Sequence, residues 1–281
     1  MKTTKAVITA ANPAEKHLPL QTITTAVGDS KPVLENDLDD LTASGIESVA
    51  IVLLPGAVDE YRAAAGPHAE MLTFIEQESP LGYGHAVWCA RDFVGDDPFL
   101  LMVGDHIFLS SSGVPCVKQL LDLAVEHEAI ISAVQATDES KLHLYGTVGA
   151  TRNPADPSLF EVHTIIEKPT PTLAEQELIV PGLRHGTYLS FFGIHVLKPD
   201  IMDLLGRKVA ALGDGETIGV THSLAEIAES ERFLATELDG TRFNLGERHG
   251  LLRAQIALAL AGPHRDDILT SIVKLLANSK S

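Results

Sequence analysis

Cysteine is nearly absent. Two thiols, Cys89 and Cys116, in 281 residues give no disulfide framework and no paired metal-ligand spacing. Both are expected to be reduced and buried, as in a cytoplasmic protein. No apolar run reaches the ~18 residues of a membrane span. The N-terminus, MKTTKAVITA, passes from two lysines straight into a strand-like run with no cleavage region, so no signal peptide is read. Basic residues are scarce: 21 Lys and Arg stand against 38 Asp and Glu, for a formal net charge of −17. With no basic stripe, this excludes a nucleic-acid surface. It leaves room for a phosphorylated small molecule, because a pocket can be locally positive on an acidic protein. HxxxH zinc spacing and G-x-S-x-G are missing, as are internal repeats and low-complexity segments.

The most informative absence is glycine in one place. AVITAANPAEKHLPL (Ala6 to Leu20) starts like a buried first strand running into a phosphate-handling loop, yet no glycine lies between Ala11 and Leu20. Such loops use glycine so that backbone N–H groups can approach a polyphosphate. Here Pro13 removes an N–H and Glu15 adds a repulsive charge.

What is present is an alternation of short apolar runs and helical patterns. Strands are expected at 5–11, 47–54, 71–77, 99–105 and 129–136, with helices near 33–44, 57–65, 84–94 and 114–127. Apolar residues on consecutive positions suit parallel strands buried on both faces. The alternation predicts an α/β fold with a doubly wound sheet, whose ligands bind beyond the carboxyl ends of the strands. After about residue 140 the pattern changes. A hairpin is expected with its turn at 152–158, a strand at 188–197, a turn at Asp239-Gly240 between two strand-like halves, and helices over 247–278 broken at Gly262-Pro263. The expectation is one domain over 1–281, with a nucleotide half (1–140), a sugar half (141–246) and C-terminal helices (247–281).

Three stretches carry possible chemistry. In EQESPLGYGHAVWCARDF, Gly82 and Gly84 would let main-chain groups approach a flat base, and Gln77 offers a donor and an acceptor; a tight strand–helix turn explains the glycines equally. In LLMVGDHIF, an apolar strand delivers Asp105, either as a Mg²⁺ ligand or as a helix N-cap. In IIEKPTP, a bend at Pro169 would aim Lys168 at a phosphate and Glu167 at sugar hydroxyls; without it the two are a solvated charge pair.

Taken in order, KAVITAA…LP…KP, EQESPLGYGHAVWCARDFVGDDPFLLMVGDHI, LYGTV, IIEKPTP, GIHVLKPDIMDLL and ELDGTRFNLGERHGLLRAQIALAL resemble the bacterial UTP–glucose-1-phosphate uridylyltransferases, a group of sugar-1-phosphate nucleotidyltransferases. The resemblance spans nearly the whole chain and is densest over 77–107. It implies a Rossmann-like mixed, mostly parallel sheet with an inserted sugar-binding β subdomain and C-terminal helices. It implies attack of a sugar 1-phosphate on the α-phosphorus of UTP with release of pyrophosphate, aided by Mg²⁺ and basic side chains. By position, Ala10, Ala11, Gln77, Pro80, Gly82 and Gly104 would bind the nucleotide. Gly146, Glu167, Lys168 and Gly193 would bind the sugar phosphate, Lys16 and Lys168 would be catalytic, and Asp105 would hold the metal. Family habit implies a homodimer or homotetramer through apolar helix faces that carry Leu251, Leu252, Ile256 and Leu260, then Ile268, Ile272, Leu275 and Leu276.

The departures from the family fall on charge handling. The glycines of its G-x-G-T-R loop are Asn12 and Ala14 here, and Glu15-Lys16 stand at its Thr-Arg. Its phosphate lysine has no counterpart in QTITTAVGDSKP, where Lys31 matches a later lysine instead. His222 stands where the family's second Mg²⁺ aspartate would align. The sequence therefore reads as a uridylyltransferase with weakened phosphate machinery. The alternative is a non-catalytic binder of a UDP-sugar or sugar phosphate, and a third reading is a transferase for a different donor.

Overall fold

The computed structural model describes residues 1–278. The first half of the chain runs β1 (Lys5–Thr9), β2 (Thr22–Thr24), β3 (Ser30–Pro32), α1 (Val33–Ala43), β4 (Ser48–Leu53), α2 (Val58–Ala64), β5 (Leu72–Glu76), α3 (Tyr83–Cys89), α4 (Arg91–Val94), β6 (Phe99–Val103), β7 (His106–Ser110), α5 (Cys116–His127) and β8 (Ile130–Asp138). The second half continues with β9 (Gly146–Arg152), β10 (Leu159–Glu167), α6 (Pro171–Glu177), β11 (Thr187–Leu197), α7 (Asp200–Ala210), α8 (Thr221–Ser230), β12 (Phe233–Glu237), β13 (Gly240–Asn244), α9 (Gly250–Ala261) and α10 (Arg265–Asn278).

Nine strands form one mixed sheet in the order β5-β4-β1-β6-β11-β8-β12-β10-β9. The five strands expected in the first half are all there. Their consecutive apolar residues alternate between two cores: Val7 packs with Ala50, Val52 and Leu101 on one face, and Ala6 and Ile8 pack with Val49, Ile51 and Leu100 on the other. Both faces are covered, which is why the runs are continuously apolar. The pairings among β5, β4, β1 and β6 are parallel, so their carboxyl ends lie on one edge.

The other half of the sheet is more antiparallel than the expectation. The segment 139–186 is inserted after β8, and the chain returns beside the strand it left: Thr187 pairs with Asp138, so β11 runs back antiparallel to β8 and then to β6. The expected β9–β10 hairpin forms. The two halves around Asp239-Gly240 do not pair with each other. β12 joins the main sheet beside β8, whereas β13 pairs with β7 in a separate two-stranded ribbon. The helical pattern at 84–94 is two helices that meet at Ala90. Cys116 is buried as expected, but Cys89 is only half-buried.

The segment that lacks the family's phosphate lysine is the β2–β3 hairpin. It docks on α9, with the Thr24 N–H donating to Gln255 Oε1 and Gln255 Nε2 donating to Thr24 O. Lys31 forms an ion pair with Asp39 on α1.

Candidate active site

Two adjoining cavities open at the carboxyl edge of the parallel strands. The first, about 410 Å³, lies between the first loop and the β5–α3 loop. The second, about 420 Å³, lies between β6, the ends of β9 and β10, and the start of α8. Asn12, Glu15, Tyr83, Val103 and Asp105 line both, so they are compartments of one cleft.

The expected nucleotide residues Ala10, Ala11, Gln77, Pro80, Gly82 and Gly104 all line the first compartment. Two of them have structural tasks there. Gln77 is buried, and its Nε2 points back at Gly82 O (3.2 Å) and His85 Nδ1 (2.9 Å), holding the loop. Gly82 has φ +99°, and a Cβ on it would sit 2.6 Å from Ile218 O. Gly84 would likewise meet Gly219 O at 2.8 Å and does not line the cleft. These glycines admit the 218–219 backbone, which bonds to the loop through Gly84 N–H to Ile218 O and Ile218 N–H to Leu81 O, both 2.8 Å. Close backbone approach, more than base approach, accounts for the pair.

Gly146, Glu167, Lys168 and Gly193 come together in the second compartment with Asp105. The bend that turns Glu167 and Lys168 to one side is at Lys168 itself, which has left-handed backbone (φ 45°) ahead of Pro169. Lys168 N–H donates to Tyr145 O at 3.2 Å. Such backbone strain in a non-glycine residue persists only where its surroundings impose it. Thr221, at the first position of α8, donates its hydroxyl to Glu167 Oε2 at 2.6 Å. Gly146 leaves room for that pair, since a Cβ would lie 3.1 Å from Thr221 Oγ1 and 2.8 Å from Phe191 Cδ2. Gly193, φ +99°, sits where the β11 register shifts between Phe191 and His195.

Asp105 lies in the tight turn joining β6 to β7 and caps no helix. Burial would raise its pKa, but the neighbouring His106, whose Nδ1 lies 2.7 Å from Asp105 Oδ1, holds the carboxyl below its ordinary range. It is thus a carboxylate at neutral pH. Among the described residues no group of three His, Cys, Asp or Glu has metal-holding geometry. One carboxylate with an oxygen to spare suits Mg²⁺, which draws its other ligands from water and phosphate.

Lys16, expected to be catalytic, and His222, which aligns with the family's second Mg²⁺ aspartate, lie outside both compartments. Lys16 is exposed and lines neither compartment; its carbonyl accepts the Tyr61 hydroxyl at 2.6 Å. The first loop is a pair of turns, Glu15 N–H to Asn12 O and Leu18 N–H to Glu15 O, and these turn Glu15 into the cleft while Lys16 faces out. His222 is exposed on α8 and does not line the cleft. Asn244 lines the second compartment with Asp105: it pairs with His106 across β13 and β7, and the N–H of the next residue, Leu245, donates to Asp105 O at 2.9 Å.

Sequence reasoning passed over Arg242, Tyr145 and Thr221. Arg242 is buried on β13 and its guanidinium stacks 3.9 Å over the Tyr145 ring. The signal was the alternation in GTRFN, which places Arg242 and Asn244 on one face of a strand. It was obscured by the turn chemistry of Asp239-Gly240.

A family model described as nucleotidyl transferase matches residues 20–257, beginning just after the first loop. A UTP–glucose-1-phosphate uridylyltransferase of Streptococcus pyogenes is 28% identical, covering 98% of this chain and 95% of its own. A UTP–glucose-1-phosphate uridylyltransferase of Bacillus subtilis is also 28% identical, over 93% and 91%. Among solved structures, a UTP-bound UGPase from Acinetobacter baumannii superposes with a TM-score of 0.72 at 22% identity, over 99% of this chain and 100% of that one. That likeness establishes the shared fold. No helix among the described residues is long and apolar enough to cross a membrane. With a matching family model over most of its length and this cleft at the carboxyl edge of its sheet, the chain belongs to the nucleotidyl transferase family.

Proposed function

We propose that the protein transfers the uridylyl group of UTP to glucose 1-phosphate, or a closely similar sugar 1-phosphate, and releases pyrophosphate. The observation that carries this reading is the convergence of Gly146, Glu167, Lys168 and Gly193 with Asp105 in one compartment, continuous with a second lined by the Gln77–Tyr83 loop. An oxygen of the sugar phosphate forms a bond to the α-phosphorus while the bond to the bridging α–β oxygen breaks. No protein nucleophile is needed, so the protein's work is alignment and charge neutralisation. Glu167, oriented by Thr221, accepts from sugar hydroxyls. Lys168 holds the sugar phosphate against the α-phosphoryl group. Asp105 is the residue that would hold Mg²⁺, which when bound neutralises charge on the transferring group. The test is pyrophosphate release by the purified protein from UTP, glucose 1-phosphate and Mg²⁺.

A second reading, a binder without turnover, is favoured by one observation: the first loop presents the Glu15 carboxylate to the cleft and turns Lys16 away. Calorimetry separates the two. UDP-glucose binding without Mg²⁺-dependent UTP binding supports the binder.

Assembly into a homodimer or homotetramer in the cytoplasm completes the proposal. Leu252, Ile256, Val273 and Leu275 are exposed along α9 and α10, and α10 has no buried residue. A light-scattering mass of one chain overturns the assembly.

A further inference from the structure

The reaction proposed above needs positive charge for the nucleotide's phosphates, and the first loop supplies none. Lys16 faces solvent, Lys31 is engaged with Asp39 on α1 and lines neither compartment, and Glu15 adds a carboxylate to the cleft. Apart from the histidines His106, His143 and His195, two basic side chains line the cleft, Lys168 and Arg242. Lys168 is more than half exposed and lies 3.9 Å from Glu167.

Arg242 is different in kind. It is buried mid-strand on β13, opposite Phe108 of β7. One of its N–H groups donates to Phe191 O, and its plane rests on the Tyr145 ring. No carboxylate lies within ion-pair distance of it among the described residues; Asp105 and Glu247 act on it only at longer range. A guanidinium has five N–H donors in a fixed fork. The Phe191 carbonyl and the Tyr145 ring leave part of that fork unused, and Arg242 lines the compartment that holds Asp105 as well as a neighbouring pocket lined by Lys141 and Arg253. A buried charge without a paired counter-charge is costly and persists where a ligand or network completes it. The missing partner is anionic and planar or tetrahedral, and it lies beside a carboxylate suited to Mg²⁺. That describes a phosphate group.

We propose that Arg242 is the phosphate receptor of this cleft, holding the diphosphate portion of the nucleotide on the β13 side of Asp105 while Glu15 keeps it out from under the first loop. The inference rests on the uridylyltransferase reading for the identity of the nucleotide. Recognition of a diphosphate by Arg242 can be tested apart from the base.

The experiment is calorimetry on the full chain with three probes: inorganic pyrophosphate with Mg²⁺, uridine, and UDP-glucose. The variants are Arg242→Gln, Arg242→Lys and Glu15→Gln, each checked by thermal unfolding. Loss of one charge-assisted contact weakens binding by about ten- to a hundredfold. Arg242→Gln is expected to weaken pyrophosphate and UDP-glucose by that factor and leave uridine within twofold. Arg242→Lys, which keeps the charge and loses the fork, is expected to fall between and stands in should the glutamine variant not fold. Glu15→Gln, on a solvent-facing loop, is expected to tighten pyrophosphate. Unchanged pyrophosphate affinity in both Arg242 variants overturns the receptor role, and so does an equal loss for uridine, which would mark Arg242 as a structural prop. Unchanged pyrophosphate affinity in Glu15→Gln overturns the exclusion. Wild-type protein that binds pyrophosphate but neither uridine nor UDP-glucose leaves Arg242 standing and overturns the uridylyltransferase reading; wild-type protein that binds none of the three overturns both.

Discussion

Glu15 and Asp105 line both compartments of the same cleft, one from the first loop and one from the β6–β7 turn. Burial first, and then the charge of Asp105, raise the Glu15 carboxyl above its ordinary value; Asn12, His106 and Lys168 pull it the other way without reversing it. With Glu167, Glu15 and Asp105 put three carboxylates in one cleft, which makes charge compensation the central problem for the proposed phosphate chemistry.

Phosphate binding is therefore expected to depend on pH through Glu15. Below its raised pKa the side chain is neutral, and above it the carboxylate repels an incoming phosphate. Pyrophosphate affinity should fall as pH rises from 4.5 through the Glu15 titration, and Glu15→Gln should flatten that fall. Calorimetry over pH 4.5 to 7.5 on both proteins makes the check; parallel curves for the two would remove Glu15 from the site's electrostatics.

Thr221→Val should raise the KM for the sugar phosphate with little change in kcat. The hydroxyl donates to Glu167 Oε2 at 2.6 Å, and a hydrogen bond to a charged group contributes about 1.5–3 kcal/mol. Glu167 without it is misaimed rather than removed. Steady-state kinetics with sugar phosphate varied tests this, and a loss carried wholly by kcat would count against orientation as the role of Thr221.

Asp37 is an opportunity for stabilisation. The buried stripe of α1 is Val33, Leu34, Asp37, Leu38 and Leu41, so Asp37 occupies an apolar position, and its buried Oδ2 has no hydrogen-bond partner among the described residues. Burial, then the charges of Asp40 and Asp105, raise its pKa well above 3.8. A folded-state pKa above the unfolded one means the native state keeps its proton longer. That stability is complete below pH 3.8 and is lost as pH rises through the folded value. Asp37→Leu should stabilise the protein at neutral pH by about 1–3 kcal/mol and reduce the decline in Tm with rising pH. Thermal unfolding of both proteins at pH 4 and pH 7 measures each effect.

Gly82→Ala should destabilise more than Gly28→Ala. Both glycines have φ +99°, but a Cβ at Gly28 meets nothing within 4 Å, whereas at Gly82 it lies 2.6 Å from Ile218 O. Backbone strain of this kind costs of order 1–3 kcal/mol, and only Gly82→Ala adds displacement of the 218–219 segment. Equal falls in Tm would show that the contact with Ile218 does not matter.

Much of this was legible in sequence, for identifiable reasons. The strands at 5–9, 48–53, 72–76, 99–103 and 130–138 are buried on both faces, so their apolar runs are unbroken. The clustering of Gly146, Glu167, Lys168 and Gly193 followed from resemblance, but the device that aims Lys168, its left-handed backbone, is a conformation that no residue type announces. Lys16 lies outside the cleft because a charge at a given sequence position says nothing of which way a turn presents it: the two successive turns of the loop direct Glu15 inward. His222, which aligns with the family's second Mg²⁺ aspartate, stays out of the cleft for a related reason. Adjacent residues on a helix point about 100° apart, and here Thr221 faces the cleft. Arg242 was hidden by a non-local pairing: β13 leaves β12 at Asp239-Gly240 and joins β7, some 130 residues earlier in the chain.

The most direct measurement is pyrophosphate release from UTP and glucose 1-phosphate with Mg²⁺, comparing the wild-type protein with Asp105→Asn. Removing one group that stabilises transition-state charge typically costs about 10²–10³ in rate. The expected result is measurable turnover by the wild type and a loss of about that size in the variant. A folded wild-type protein that binds UDP-glucose and releases no pyrophosphate would contradict a transferase and leave the binder.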